Sequence, residues 1–182
     1  VESAITYMQQ TYGTGRTALV GHSMGGRLAS LYPQRRGGIT ALALWSTANG
    51  AGLRGMEFLN IDDFSAVEAL AAEAEASGSI STWGVDVSGT LFTEMRDSDP
   101  NAALRESALP TLLTYTGHEG ILSDTTQAET IAAVESLPDG RVVLEPVAEG
   151  NHNYLSEDAA TAAALDKALR ETTVAFLVEY LK

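Results

Sequence analysis

The six residues Gly21-His22-Ser23-Met24-Gly25-Gly26 follow directly on the apolar run Thr17-Ala18-Leu19-Val20. This is G-x-S-x-G at the end of a short strand and at the start of a small-residue helix. Such a segment turns sharply and pushes one hydroxyl out of the top of a sheet. At the apex the serine backbone is strained, so Gly21 and Gly25, two residues to either side, are expected where a Cβ would collide across the turn. Gly26 lets the following helix pack close to the strand. The pattern therefore nominates Ser23 as a nucleophile, with the helix N-terminus favouring negative charge beside it. The backbone N–H of Met24 is the natural first donor to an oxyanion.

The rest of the chain reads as alternating strands and helices. Helices are expected at about 2–11, with Ile5 and Met8 on one face, and from Ser23 to about Tyr32, ended by Pro33. Strands are expected at 17–21, 39–45, 110–115 and 141–146. The run 39–45 is almost continuously apolar, as suits a strand covered on both faces of a parallel sheet. Residues 46–109 break the rhythm. A Gly-rich loop at 49–55 precedes a helix at about 66–76, with Ser65 and Glu68 as capping box and Gly78 at its end. Residues 79–96 read as irregular, and Asp99-Pro100 opens another short helix. This stretch reads as a helical insertion over the catalytic face. Asp124 and Gln127 cap a helix at about 125–137, and a last helix spans about 157–181 with Leu165, Leu169, Phe176 and Tyr180 on its buried side. The fold class is α/β: one domain with a parallel sheet of about four strands flanked by helices.

A serine nucleophile needs a base, and the base an orienting acid. The chain has three histidines. His22 lies inside the elbow, pointing away from the hydroxyl, and reads as a packing residue or one that supports the site residues from behind. His118 follows the third strand and reads as a loop-surface residue. His152 sits in the polar loop between the fourth strand and the last helix. In a parallel sheet that loop opens at the same edge as Ser23, which makes His152 the base. The acid should come from the loop after the third strand. Glu119 is there with no other task. Asp124 is a weaker alternative because it suits a helix N-cap, and Asp97 or Asp86 in the insertion are further ones.

These residues resemble the α/β-hydrolase superfamily, in particular its esterase, acylglycerol-lipase and serine-aminopeptidase-like branch, whose elbow often reads GHSMGG. The stretch Ser98-Asp99-Pro100-Asn101-Ala102-Ala103-Leu104-Arg105, then Leu109-Pro110-Thr111-Leu112-Leu113, is similar to the segment leading into the acid-bearing strand of that branch. There G-x-x-D and an aliphatic pair usually follow. The ungapped counterpart here is Thr116-Gly117-His118-Glu119, then Ile121-Leu122, so Glu119 falls on the acid position and Thr116 replaces the usual glycine. Gly150-Asn151-His152 matches the usual G-x-H loop. The resemblance implies a serine hydrolase cleaving carboxylic esters, with thioesters or peptide bonds as alternatives on the same triad. It covers only the C-terminal half of that fold. The strands that usually precede the elbow, and the loop that gives the second oxyanion donor, have no counterpart in this sequence. The expectation is an N-terminally truncated domain whose elbow strand is an exposed sheet edge, prone to self-association or completion by an N-terminal half. A non-catalytic α/β scaffold is the reading that competes with an active enzyme.

Composition narrows the partners. Net charge is −13, with Lys167 and Lys182 the only lysines. That surface repels phosphate backbones and anionic membranes, so nucleic acid is not an expected partner. No apolar run approaches a membrane span. There are no cysteines, so disulfides and thiolate metal sites are excluded, and the compartment stays open with the cytoplasm slightly favoured. No metal or cofactor is expected: Asp62-Asp63 suits a helix start better than a cation. No phosphate-binding loop or dinucleotide fingerprint occurs. Arg35-Arg36 reads as a solvated turn, Trp45 as a core residue, and Trp83 as an insertion residue that could line an acyl pocket.

Overall fold

A computed structural model describes residues 1–82, 84–144 and 149–182. In chain order the elements are α1 (Glu2–Tyr12), β1 (Ala18–His22), α2 (Met24–Arg35) and β2 (Ala41–Trp45), followed by a 3-10 helix (Gly52–Leu59). Then come α3 (Phe64–Ser77), the hairpin β3 (Ser79–Thr82) and β4 (Val85–Ser88), α4 (Gly89–Arg96) and α5 (Pro100–Ser107). β5 (Thr111–Thr114), α6 (Asp124–Glu135), β6 (Gly140–Val143) and α7 (Ala159–Tyr180) complete the chain.

β1, β2, β5 and β6 form a four-stranded sheet in that order, every pair parallel. This is the α/β sheet the alternation of elements implies. Successive strand residues point to opposite faces, and the sequence uses that period. Leu42, Leu44 and Leu113 enter one buried cluster with Ala29 of α2, Leu104 of α5 and Val134 of α6. Ala41, Ala43 and Leu112 face the other way, onto Phe176 of α7. The small alanines on that face leave room for the long C-terminal helix. A third cluster lies apart from the sheet. Leu53, Met56, Val67, Ala71, Ala74, Ile80, Phe92 and Met95 join the 3-10 helix, α3, β3 and α4 around their own apolar centre, with Met24 packed against it. The first part of 46–109 is thus self-packed, whereas α5 belongs to the main core.

Several boundaries depart from the sequence reading. Pro33 does not end α2; the helix continues to Arg35, because a proline in the last turn forfeits only one intrahelical bond, and Arg36 N–H closes on Tyr32 O at 2.9 Å. Arg35 and Arg36 therefore finish a helix, and Arg36 pairs with Glu2 at 3.1 Å. α3 starts earlier than expected. Asp63, not Ser65, is its N-cap, accepting from Ser65 N–H at 3.0 Å, and Gly78 closes it in the left-handed region as anticipated. The stretch 79–96 is not irregular but an antiparallel hairpin followed by a helix. Half of the Gly-rich loop 49–55 winds into the 3-10 helix. Ser123 caps α6, not Asp124, which is its first residue, and Gln127 donates to Leu122 O at 3.0 Å. Asp99 and Pro100 take the cap and first-turn places assigned to them. β6 starts at Gly140 and ends at Val143, before Leu144; Glu145 and Pro146, also in the expected strand, lie outside the described residues, as does Trp83 with its pocket role.

α7 buries Leu165, Leu169, Thr173 and Phe176, with Tyr180 only half-buried, and Trp45 donates its indole N–H to Thr173 Oγ1 at 3.1 Å. α1 buries no residue, Ile5 and Met8 included. Among the described residues no helix is long and apolar enough to cross a membrane.

Candidate active site

The elbow is built as its glycines demand. Ser23 closes β1 and caps α2 with φ 55°, a left-handed backbone that a non-glycine residue rarely adopts. Three N–H groups anchor its carbonyl: Gly26 at 3.0 Å, Arg27 at 3.2 Å and Ala48 at 3.2 Å, while its own N–H reaches Trp45 O at 3.0 Å. A Cβ at Gly21 would lie 2.5 Å from Gly25 O and 2.7 Å from Gly26 Cα, all backbone. A Cβ at Gly26 would lie 2.6 Å from Thr47 Cβ. Both positions require glycine. Gly25 does not: a Cβ there meets nothing within 4 Å, which corrects the expectation that it flanks the turn for steric reasons. What Gly21 makes room for is the Gly25 carbonyl. Met24 is the first residue of α2, so its N–H has no carbonyl within its own helix to bond.

Parallel strands bring their carboxyl ends to one edge. His22 lies in register with Trp45, and Trp45 with Thr114, so the segments after β1, β2 and β5 emerge together. The segment after β5 carries Glu119, and the segment 149–158 carries His152. They are joined by backbone: His118 N–H donates to Gly150 O at 3.1 Å, and His118 bridges Asn151. Glu119 and His152 are both buried, each 5% exposed. The Nδ1–H of His152 donates to Oε1 of Glu119. Glu119 Oε2 accepts from the Ser46 hydroxyl at 2.8 Å and from Thr116 Oγ1 at 3.3 Å. Thr116, at the position where the resemblance expects a glycine, thus supplies a hydrogen bond to Glu119.

Asp124, Asp97 and Asp86 do not share this cluster. Asp124 starts α6, Asp97 closes α4, and Asp86 lies on β4, paired with Ser81. His118 is exposed and contributes backbone only. His22 is half-buried and supports the backbone of His152. Its Nε2–H donates to the backbone carbonyl of His152 at 2.9 Å, and the two rings lie 4.9 Å apart.

Three participants escaped sequence reasoning. Ser46 and Tyr154 were not singled out, yet both have left-handed backbones, with φ 41° and 58°, and both hydroxyls are buried beside Glu119. Arg27 was also missed. It is fully buried, and its guanidinium donates to the carbonyls of Ala48 at 3.1 Å and Gly50 at 2.5 Å and to Ser98 Oγ at 2.6 Å. Burial pulls its pKa down to about 10, partly opposed by Asp99. An arginine at i+4 from the elbow serine, in an otherwise small-residue helix turn, was the available signal. A cavity of about 670 Å³ runs along α2 beyond Met24, with Leu28, Leu31, Leu91 and Met95 in its lining.

Neither a known protein family nor any curated protein sequence matches the chain. Solved structures do. Over 87% of this chain and 60% of the other, Est1E from Butyrivibrio proteoclasticus superposes with a TM-score of 0.55 at 15% identity. The esterase domain of a Rhodothermus marinus protein covers 100% of this chain and 67% of its own, with a TM-score of 0.59 at 16% identity. An esterase from Pyrococcus furiosus covers 100% and 60%, with a TM-score of 0.60 at 12% identity. The chain spans about 60 to 67% of the length of these structures. Likeness at such low identity speaks to architecture alone, and a mouse α/β-hydrolase domain protein matches in the same way, with a TM-score of 0.55. Over the length it spans, the chain has the fold of the α/β-hydrolases.

Proposed function

We propose that this chain carries the nucleophile, base and acid of a serine hydrolase acting on carboxylic esters. The observation that supports this best is the buried His152–Glu119 pair, at the sheet edge where Ser23 is held in a left-handed elbow. The esterases among its structural neighbours favour esters over other acyl substrates.

In this reading the Ser23 hydroxyl adds to the ester carbonyl while His152 Nε2 takes its proton. Glu119 holds the ring in the Nδ1–H tautomer, which leaves Nε2 free to act as base, and then stabilises the imidazolium. The tetrahedral oxyanion draws on the Met24 N–H and the α2 N-terminus. Collapse expels the alcohol, which receives the proton from His152, and leaves an acyl group on Ser23. Water, deprotonated by the same imidazole, then adds to the acyl carbon and releases the acid. The self-packed part of 46–109, from Gly52 to Arg96, acts as a cap-like segment that sets access to the site. The edge strand β1 is the place where a further strand, from another copy or an N-terminal half, would pair.

A fluorophosphonate probe tests the assignment. Labelling of the chain that disappears in Ser23→Ala is the expected result. Labelling that survives the substitution, or none in the parent, would defeat it. A panel of p-nitrophenyl esters, thioesters and aminoacyl anilides then ranks the acyl classes.

A further inference from the structure

Ser46 takes no part in the steps above, yet it sits against them. It directly follows β2, is fully buried, and holds φ 41°. A left-handed serine is uncommon and strained. Its N–H donates to Thr114 O at 2.8 Å, carrying the β2–β5 ladder one residue past the strand. The kink turns its hydroxyl onto Glu119 Oε2 at 2.8 Å.

The hydroxyls nearby leave that proton no better destination. Tyr154 OH donates to Thr114 O at 2.9 Å, and Thr114 Oγ1 lies 2.8 Å from Tyr154 OH, where it can donate in turn. Ser46 Oγ is 3.2 Å from Tyr154 OH but only 2.8 Å from the carboxylate. Burial pushes the Tyr154 phenol up to about 12, so it stays neutral and keeps its own proton. A charged acceptor wins over a neutral one.

The consequence lies in the length of the acid. A glutamate has one more rotatable bond than an aspartate. Fixing Oε1 against His152 therefore depends on where Oε2 is held, and Ser46 and Thr116 hold it. Three of the four left-handed non-glycine residues among the described ones, Ser23, Ser46 and Tyr154, belong to this cluster or its nucleophile; the fourth, Ala108, merely closes α5.

We infer that Ser46 is a positioning residue that locks the Glu119 carboxylate and, through it, the tautomer of His152. The inference rests on the triad reading given above. Ser46→Gly tests it, because glycine removes the hydroxyl while accepting the left-handed backbone. NMR of isotope-labelled histidine reads the tautomer of His152 without any turnover, with His152→Gln identifying its signals. The parent should show His152 in the Nδ1–H form, and Ser46→Gly a mixture of both tautomers. With a hydrolysed ester, kcat should fall about tenfold at unchanged KM, the scale of one hydrogen bond to a charged group. Thermal stability should fall in both Ser46→Gly and Ser46→Ala, which lose the same hydrogen bond, and fall less in Ser46→Gly, which relieves the left-handed strain that Ser46→Ala keeps. If Ser46→Gly keeps His152 wholly in the Nδ1–H form, Ser46 merely ends a strand and the inference is overturned. Failure of the parent to show Ser23-dependent labelling would instead strike the hydrolase reading, since the tautomer is read independently.

Discussion

The two flanks of the site are built differently. On the Glu119–His152 side, Glu119, His152, Ser46, Thr114, Thr116 and Tyr154 are all buried and bonded to one another. On the Ser23 side, β1 pairs only with β2 among the described residues, Val20 is 47% exposed, and α1 buries nothing, leaving Tyr7 and Tyr12 in solvent. One flank is therefore internally braced, while the other rests on a single strand pair and the glycines of the turn. The geometry of a buried, fully hydrogen-bonded network is over-determined. That of an edge depends on whatever lies beside it. Substitutions on the braced flank should therefore act on rate, and those on the open flank on folding and association.

The largest effect should come from breaking the brace at its centre. Glu119→Gln keeps the shape but lets the amide favour the wrong tautomer of His152, and kcat for ester hydrolysis should drop by about 10³ to 10⁴. Steady-state kinetics with a far-UV unfolding curve would show whether rate falls without the fold. A loss of less than tenfold would mean that Glu119 is no acid of the site.

Next comes the turn itself. In Gly21→Ala the new methyl meets backbone 2.5 Å away, and neither Gly25 nor Gly26 can yield without moving α2. Overpacking of this kind costs about 1–3 kcal/mol or more. Gly25→Ala should do the opposite, because its methyl enters open space in a helix, where alanine is favoured by roughly 0.8–1.0 kcal/mol. Paired thermal melts check both signs. Equal destabilisation by the two would contradict the asymmetry of the elbow.

The elbow turn, its strand and the meeting of His152 with Glu119 were legible because local chemistry specifies them. A serine between glycines after an apolar run has few other uses, and loop order in a parallel sheet sends Glu119 and His152 to the same edge. Ser46 and Tyr154 were not legible. Their roles depend on left-handed backbones and on contacts reaching 73 and 40 residues along the chain, to Glu119 and Thr114, which no local pattern encodes. The insertion failed for a related reason. Ser79–Thr82 and Val85–Ser88 alternate too weakly to announce strands, and pair because Ile80 anchors them in the cluster around Phe92. Asp63 outcompeted Ser65 as a cap because an earlier start brings Phe64 onto that same cluster.

A smaller effect belongs to the edge. Val20 shares a sheet face with Ala43 but stays half in solvent. A lysine there discourages strand addition. Val20→Lys should abolish any concentration-dependent dimer seen by analytical ultracentrifugation, while shifting stability by no more than about 0.5 kcal/mol. A chain that is monomeric at all concentrations before the substitution would show that the open flank does not seek a second copy.

The smallest effect probes where the two flanks meet. His22 precedes Ser23 in sequence but bonds the backbone of His152, so it ties the open side to the braced one. Two contributions are separable there. The Nε2–H holds the His152 carbonyl, and the ring packs beside the His152 ring at 4.9 Å. His22→Gln retains a donor of similar reach without the ring; His22→Phe retains a ring without the donor. A neutral hydrogen bond contributes about 0.5–1.5 kcal/mol. His22→Phe should therefore lower kcat by roughly three- to tenfold, with KM held, if that bond sets the place of His152. His22→Gln should recover most of the loss. The reverse order would mean that ring packing positions the base. Equal, negligible losses would mean that the braced flank needs nothing from the elbow.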